Sequence, residues 1–138
     1  PLGKADMTIE GDVNVHNKVL VVTYGMGVHW ALRASTSFPG LIGILDLRTL
    51  YPLDEELIFT KAKQYHKILV LTEEPVKNTF AQSLAARIQQ ECFEYLDAPV
   101  ITVGAENMPA IPLNEILERT MLPDVDKVVV VMQKLLSY

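Results

Sequence analysis

The chain has 138 residues, 49% of them hydrophobic and 21% charged, which suits one folded domain able to bury roughly two thirds of its unfolded surface and excludes a disordered tail or a coiled coil. Its net charge of -5 and pI of 5.1 argue against a nucleic-acid or anionic-membrane binder, which needs a concentrated basic face, and suit a basic protein partner. Cys92 is the only cysteine, so neither an internal disulfide nor a cysteine-built zinc site is available, and no stretch approaches the ~20 apolar residues of a membrane-spanning helix.

Residues 1–17 read as an irregular linker from a preceding domain, with one short strand at 6–10 closed by Gly11 and Asp12. Residues 18–24, KVLVVTY, are a β-branched apolar run followed by Gly25-Met26-Gly27, the pattern of a buried strand turning into a helix, here over 28–36. The stretch that organises the chain is 41–56, LIGILDLRTLYPLDEE. Ile42, Ile44, Leu45 and Leu47 form the near-continuous apolar run of a strand covered on both faces. Asp46 and Arg48 stand where that strand should surface. Ligands and partners of open α/β sheets meet the carboxyl ends of the strands, so these two charges are rim residues. Pro52 ends the extended segment, and Asp54, Glu55 and Glu56 place negative charge in the first turn of a helix over 54–65, where the helix dipole favours it.

Residues 67–71 predict a third buried strand, ended by Thr72-Glu73-Glu74-Pro75. Phe80, Leu84, Ile88, Cys92 and Tyr95 repeat at helical spacing and define the apolar face of a third helix. A fourth strand over 99–103, a proline-punctuated loop over 104–112, a short helix over 112–121 and a last helix capped by Asp124 complete the chain. Strands alternating with helices imply right-handed crossovers. The expected fold is a three-layer α/β domain over 18–138, with a mainly parallel sheet of about five strands and helices on both faces.

Few residues promise chemistry. Gly25-Met26-Gly27 resembles the start of a dinucleotide fingerprint, but Trp30 stands where its third glycine belongs, so the stretch reads as a tight turn. His29, in the first helical turn, would suit a proton carrier facing the rim. No carboxylate or nucleophile completes a catalytic set around it, so it reads as a packed or capping histidine. His16 and His66 border strands and read as surface residues, and Cys92 reads as an inert core thiol. Glu73 and Glu74 are strand-end carboxylates, solvated or paired with a partner's cations. No G-x-S-x-G, P-loop or metal-binding helix occurs, so no catalytic, cofactor-binding or metal residue is assigned.

A family resemblance adds to this reading. The succession VLVVTYGMGVHWAL, ILDLRTLYPLDEE, KILVLTEE, AARIQQECFEYLDAPVITVGAENMP and LPDVDKVVVVMQKLL resembles the C-terminal domain of the beta subunit of thiamine-diphosphate-dependent 2-oxo-acid dehydrogenases, whose wider relatives are transketolase and deoxyxylulose-phosphate synthase. DLRTLYPLD and YLDAPV are its most specific parts, and Lys4-Ala5 resembles the family's approach to the domain. The resemblance implies that the chain is a piece of a larger enzyme, branched-chain 2-oxoisovalerate dehydrogenase in the first place and pyruvate dehydrogenase as the alternative. That enzyme works in the bacterial cytoplasm or the mitochondrial matrix. Thiamine diphosphate and Mg would then sit between the alpha subunit and the missing N-terminal pyrimidine-binding domain of the beta chain. Gly11-Asp12 is followed by Val13, so not even the Gly-Asp-Gly start of the family's metal motif is present.

By the same resemblance the domain is non-catalytic. It helps pair two beta subunits about a two-fold axis and docks the basic peripheral-subunit-binding domain of the lipoyl acyltransferase. Asp97 matches an acidic family position that pairs with basic residues of that domain, and Tyr138 matches the C-terminal residue at the same interface. The residue-level alternative has Asp97 capping the turn before Pro99. After Glu74 the family usually has a glycine-containing stretch, whereas this chain continues PVKNTFAQ, which is stiffer. Two other readings follow from residues alone: a nucleotide-binding module on the Gly25–Gly27 turn, and a flavodoxin-like interaction domain using Asp46, Glu73 and Glu74.

Overall fold

The computed structural model describes residues 1–107 and 113–138. Five strands, β1 (Asp6–Ile9), β2 (Val19–Thr23), β3 (Ile42–Asp46), β4 (Ile68–Pro75) and β5 (Ile101–Ala105), form one sheet in the order β1-β3-β2-β4-β5. All pairings are parallel except β1 with β3. The helices are α1 (Met26–Ser35), α2 (Glu55–Tyr65), α3 (Phe80–Cys92), α4 (Glu115–Met121) and α5 (Val125–Leu136), with a 3-10 turn over Phe93–Tyr95.

The central strand shows why both faces had to be apolar. Val19 and Val21 point into a layer with Ala31 and Ala34 of α1 and Val128, Met132 and Leu135 of α5. Leu20 and Val22 point the other way, onto Ile58, Ala62 and Tyr65 of α2 and Leu84, Ile88 and Cys92 of α3. Each such fully buried aliphatic side chain contributes about 1.5–3 kcal/mol, so this alternation holds the three layers together. Gly43 is the exception in β3, and the Tyr65 ring fills the volume its side chain would need.

Helix starts follow the sequence signals. The Asp54 carboxylate accepts from the Leu57 N–H at 3.3 Å and also from the Ala5 N–H at 3.1 Å, so one cap fastens the first residues to α2. Asp124 accepts from the Lys127 N–H at 2.9 Å, as expected of the cap of the last helix.

The structure corrects several boundaries. β4 does not end at Leu71: after a register shift it runs on to Pro75, which pairs with Ala105. Gly104 therefore belongs to β5 rather than to the loop, and a Cβ there would strike the Glu74 carbonyl. Of that expected loop, residues 108–112 lie outside the described residues, as does the expected helix start at Pro112; α4 begins at Glu115 with Asn114 as its cap. Tyr95 leaves the buried face of α3 because the chain tightens into a 3-10 turn after Cys92 and breaks the 3.6-residue period. The first seventeen residues are fastened along their length: β1 pairs with β3, and the Gly11 N–H donates to the Tyr65 hydroxyl at 2.8 Å.

Candidate functional site

The residues singled out in the sequence fall at two opposite ends of the sheet. Asp46, Arg48, Glu73, Glu74 and His29 lie at the carboxyl ends of the parallel strands. Asp97 and Tyr138 lie at the starting ends.

At the carboxyl ends the glycine turn is a packing device. Gly25 sits at φ 58° and ψ −133°, a conformation open to glycine. Gly27 lies so close to β2 that a Cβ would collide with the Thr23 hydroxyl, which donates to the Leu71 carbonyl at 2.8 Å, and would lie 3.2 Å from that carbonyl. The Glu73 carboxylate lies beside Gly25, with Oε1 3.5 Å from where a Cβ would stand. A pyrophosphate on this turn would meet that negative charge. Trp30 closes one side of a cleft of about 420 Å³ against Glu118, Leu122 and Asp124, so the indole occupies space that a third glycine would leave open.

Beside the turn, Tyr24 is tied inward. Its hydroxyl donates to Glu74 Oε1 at 2.9 Å and lies 2.9 Å from the Thr72 hydroxyl, while its ring meets Phe80 edge-on at 5.7 Å. Burial pushes the Tyr24 pKa up to about 12, and the charges of Glu74 and Glu73 act in the same direction. Glu74 is thus held inside the chain, whereas Glu73 is exposed. Arg48, at φ 57°, pairs with Asp6 at 3.2 Å and Asp46 at 3.9 Å, so the predicted rim charges neutralise one another at the surface. His29 is neither packed nor capping. The buried positions of α1 are Gly27, Ala31 and Ala34, and residue 29 falls about half a turn away from that stripe, on the exposed side.

At the starting ends, side chains join three separated segments. Lys67, only 6% exposed, donates to Asn17 Oδ1 at 2.7 Å, and the Asn17 amide donates to the Leu136 carbonyl at 3.0 Å. The last turn of α5, with Tyr138 beyond it, is thereby tied to the strand starts. His66, in the left-handed conformation at the end of α2 (φ 69°), grips the segment before β5 twice. Its Nδ1–H donates to the Tyr95 carbonyl at 2.6 Å, and its own carbonyl accepts the Asp97 N–H at 2.8 Å. That backbone bond shapes the turn before Pro99; the Asp97 carboxylate is exposed and makes no hydrogen bond among the described residues. Asn17, His66 and Lys67 are the positioning residues that sequence reasoning missed. The one available signal was a lysine directly in front of the apolar run ILVL.

Among the described residues, no three His, Cys, Asp or Glu side chains gather to hold a metal ion, and no helix is long and apolar enough to cross a membrane. What the fold and its two ends define is a three-layer α/β domain.

The chain belongs to the transketolase C-terminal domain family, whose profile matches residues 10–128. It is 36% identical over its whole length to the 2-oxoisovalerate dehydrogenase subunit beta of Bacillus subtilis, covering 42% of that protein. It is 35% identical to the Acetoin:2,6-dichlorophenolindophenol oxidoreductase subunit beta of the same organism, over 99% of this chain and 39% of that one. The chain thus spans about two fifths of the length of these curated relatives. A split-gene transketolase, described as an inactive beta4 tetramer, shares the fold with a TM-score of 0.75 at 22% identity, over 98% of this chain and 43% of that one. The family resemblance drawn from the motifs and the three-layer fold are both borne out.

Proposed function

We propose that this chain is the C-terminal, non-catalytic assembly domain of the beta subunit of a thiamine-diphosphate-dependent 2-oxo-acid dehydrogenase. The observation that carries the reading is similarity to beta subunits along the whole of this chain, which spans about two fifths of each of them. The enzyme decarboxylates a 2-oxo acid, branched-chain 2-oxoisovalerate in the first place, and passes the acyl group to lipoamide. Thiamine diphosphate and Mg sit on the alpha subunit and on a preceding pyrimidine-binding domain, and no step of the reaction runs through residues of this chain. Residues 1–17 are the approach from that domain, and the enzyme works in the cytoplasm or the mitochondrial matrix.

The domain pairs with a second beta subunit, and its starting edge, with Asp97 and Tyr138, docks the basic peripheral-subunit-binding domain of the lipoyl acyltransferase. Three features support this assignment. Both residues lie at the same end of the sheet, and both side chains are exposed, Tyr138 to 59%. The Asp97 carboxylate has no ion-pair partner among the described residues. Calorimetric titration of the chain with a purified peripheral-subunit-binding domain tests it. Asp97→Lys is expected to weaken binding at least tenfold, because a like charge at a docking edge adds repulsion to the lost attraction. Unchanged affinity would return Asp97 to a solvated turn residue.

A further inference from the structure

The first residues are held to the domain by backbone more than by burial. No apolar side chain of residues 1–18 is buried; Ala5, Met7 and Ile9 pack only partly against layers whose buried side chains begin at Val19. The N–H groups of Gly3, Ala5 and Gly11 donate to the Thr49 hydroxyl at 3.0 Å, Asp54 Oδ2 at 3.1 Å and the Tyr65 hydroxyl at 2.8 Å. Between these points β1 adds its ladder to the edge of β3. Two ion pairs, Asp6 with Arg48 at 3.2 Å and Glu10 with Lys61 at 2.6 Å, match charge along the same line.

The joint behind this strap is loose on one side and fixed on the other. Residues 13–16 hydrogen-bond only to Asp12 among the described residues, and Val13 is 86% exposed. Just beyond them Asn17 is anchored by Lys67 and by the Leu136 carbonyl. A segment that buries no apolar side chain and swings on such a hinge opens while the packed layers stay folded. When residues 3–11 leave, the edge of β3 is bared together with three side-chain acceptors that run from Thr49 to the end of α2. An edge of this kind is refilled by an extended segment added as a strand. The fit selects the occupant. A second copy of this chain carries the same N–H donors and the same acids for Arg48 and Lys61, so every bond made within one copy is available between two.

We propose that the edge of β3 and the adjoining side of α2 form an acceptor groove for residues 3–11, which two copies of this chain fill reciprocally by exchanging their straps through the hinge at 13–16. Within one copy the tether gives the strap a millimolar effective concentration, so the singly closed chain prevails in dilute solution and exchange competes near about 1 mM. This pairing uses neither Asp97 nor Tyr138 and goes beyond the docking role given to them above.

The test uses two variants of the whole chain at about 1 mM, where exchange competes with closure. One has a reversed strap, Asp6→Arg with Glu10→Lys; the other has a reversed groove, Arg48→Asp with Lys61→Glu. Alone, each sets like charges face to face and should melt about 3 °C below the original chain. Mixed, each strap finds its complement only in the other chain. The Ala5 and Gly11 amide resonances of isotopically labelled reversed-groove chain should then return to their positions in the original chain, and its diffusion should slow to that of a dimer. Resonances that stay where they stood in the unmixed variant overturn the exchange, whatever the diffusion shows. A second measurement needs no substitution. In the original chain the Ala5 and Gly11 amides should exchange hydrogen about tenfold faster than Val21 of the central strand. Exchange at the Val21 rate would mean that the strap leaves only when the layers unfold, and it too would overturn the proposal.

Discussion

Replacing Tyr65 by Phe removes a single oxygen, and the structure defines what that oxygen holds. The Gly11 N–H is buried and donates to the Tyr65 hydroxyl at 2.8 Å, and the hydroxyl in turn donates to Glu10 Oε2 at 3.1 Å. Burial raises the Tyr65 pKa above its ordinary value, so the hydroxyl stays protonated through the neutral range. In the Phe variant the Gly11 N–H faces a ring edge where water cannot follow, and a buried donor left without an acceptor costs about 1–3 kcal/mol. Taking ~2 kcal/mol, and an unfolding entropy of about 2.1 cal/mol/K per residue, a chain of 138 residues should melt about 7 °C lower. Circular-dichroism melting and urea titration measure the loss, and hydrogen exchange should show the Gly11 amide opening faster. Glu10→Gln serves as the control: its ion pair with Lys61 is at the surface and is worth only a few tenths of a kcal/mol. A fall of less than about 2 °C with Gly11 exchange unchanged would refute the argument that this hydroxyl fastens the first residues to the domain.

Gly27→Ala should cost about 1–3 kcal/mol, since the added methyl strikes the Thr23 hydroxyl and crowds the Leu71 carbonyl in a close-packed layer; a urea midpoint within error of the original would show that α1 is free to shift away. Tyr24 supplies a pH dependence whose sign follows from its raised pKa. Its contribution is fully present below pH 10, the unfolded value, and is lost as pH rises towards about 12, because only the unfolded chain releases the proton in that window. A displacement of that size corresponds to about 2.7 kcal/mol, which solvent screening of a partly exposed ring reduces to about 1 kcal/mol. The stability gap between the original chain and Tyr24→Phe should therefore shrink by that amount between pH 10 and 12, and a constant gap would contradict the assignment.

Much of the fold was legible because the signals were local. The run around Ile42–Leu47 has the pattern expected of a strand covered on both faces, and both layers are there. Asp54 and Asp124 announced their helices by cap chemistry, which depends on three or four neighbouring residues. The failures are the features decided at a distance. β4 runs past Leu71 because β5 offers it a partner, and no property of Thr72-Glu73-Glu74-Pro75 reveals that edge. Tyr95 fits the α3 period on paper, but His66, 29 residues earlier, holds its carbonyl. Asn17, Lys67 and Leu136 form one linkage across 119 residues, which a reading in chain order does not join.

The two ends of the sheet differ in how much of their polarity remains for an outside partner. At the carboxyl ends, where folds of this class usually place chemistry, Thr23 is bonded to Leu71, Tyr24 to Thr72 and Glu74, and Arg48 lies between Asp6 and Asp46. A hydrogen bond already made inside the protein must be broken before the same group can serve a ligand, and that exchange yields little net free energy. At the starting ends the internal bonds are made by backbone and by Asn17, His66 and Lys67, and the carboxylates of Glu91, Glu94 and Asp97 carry no ion pair among the described residues. Their full field therefore reaches solvent within a Debye length of about 8 Å at physiological salt. Under the docking role proposed above, a cationic domain would meet unpaired carboxylates at the starting edge, even though the rim is where the fold alone would direct a search.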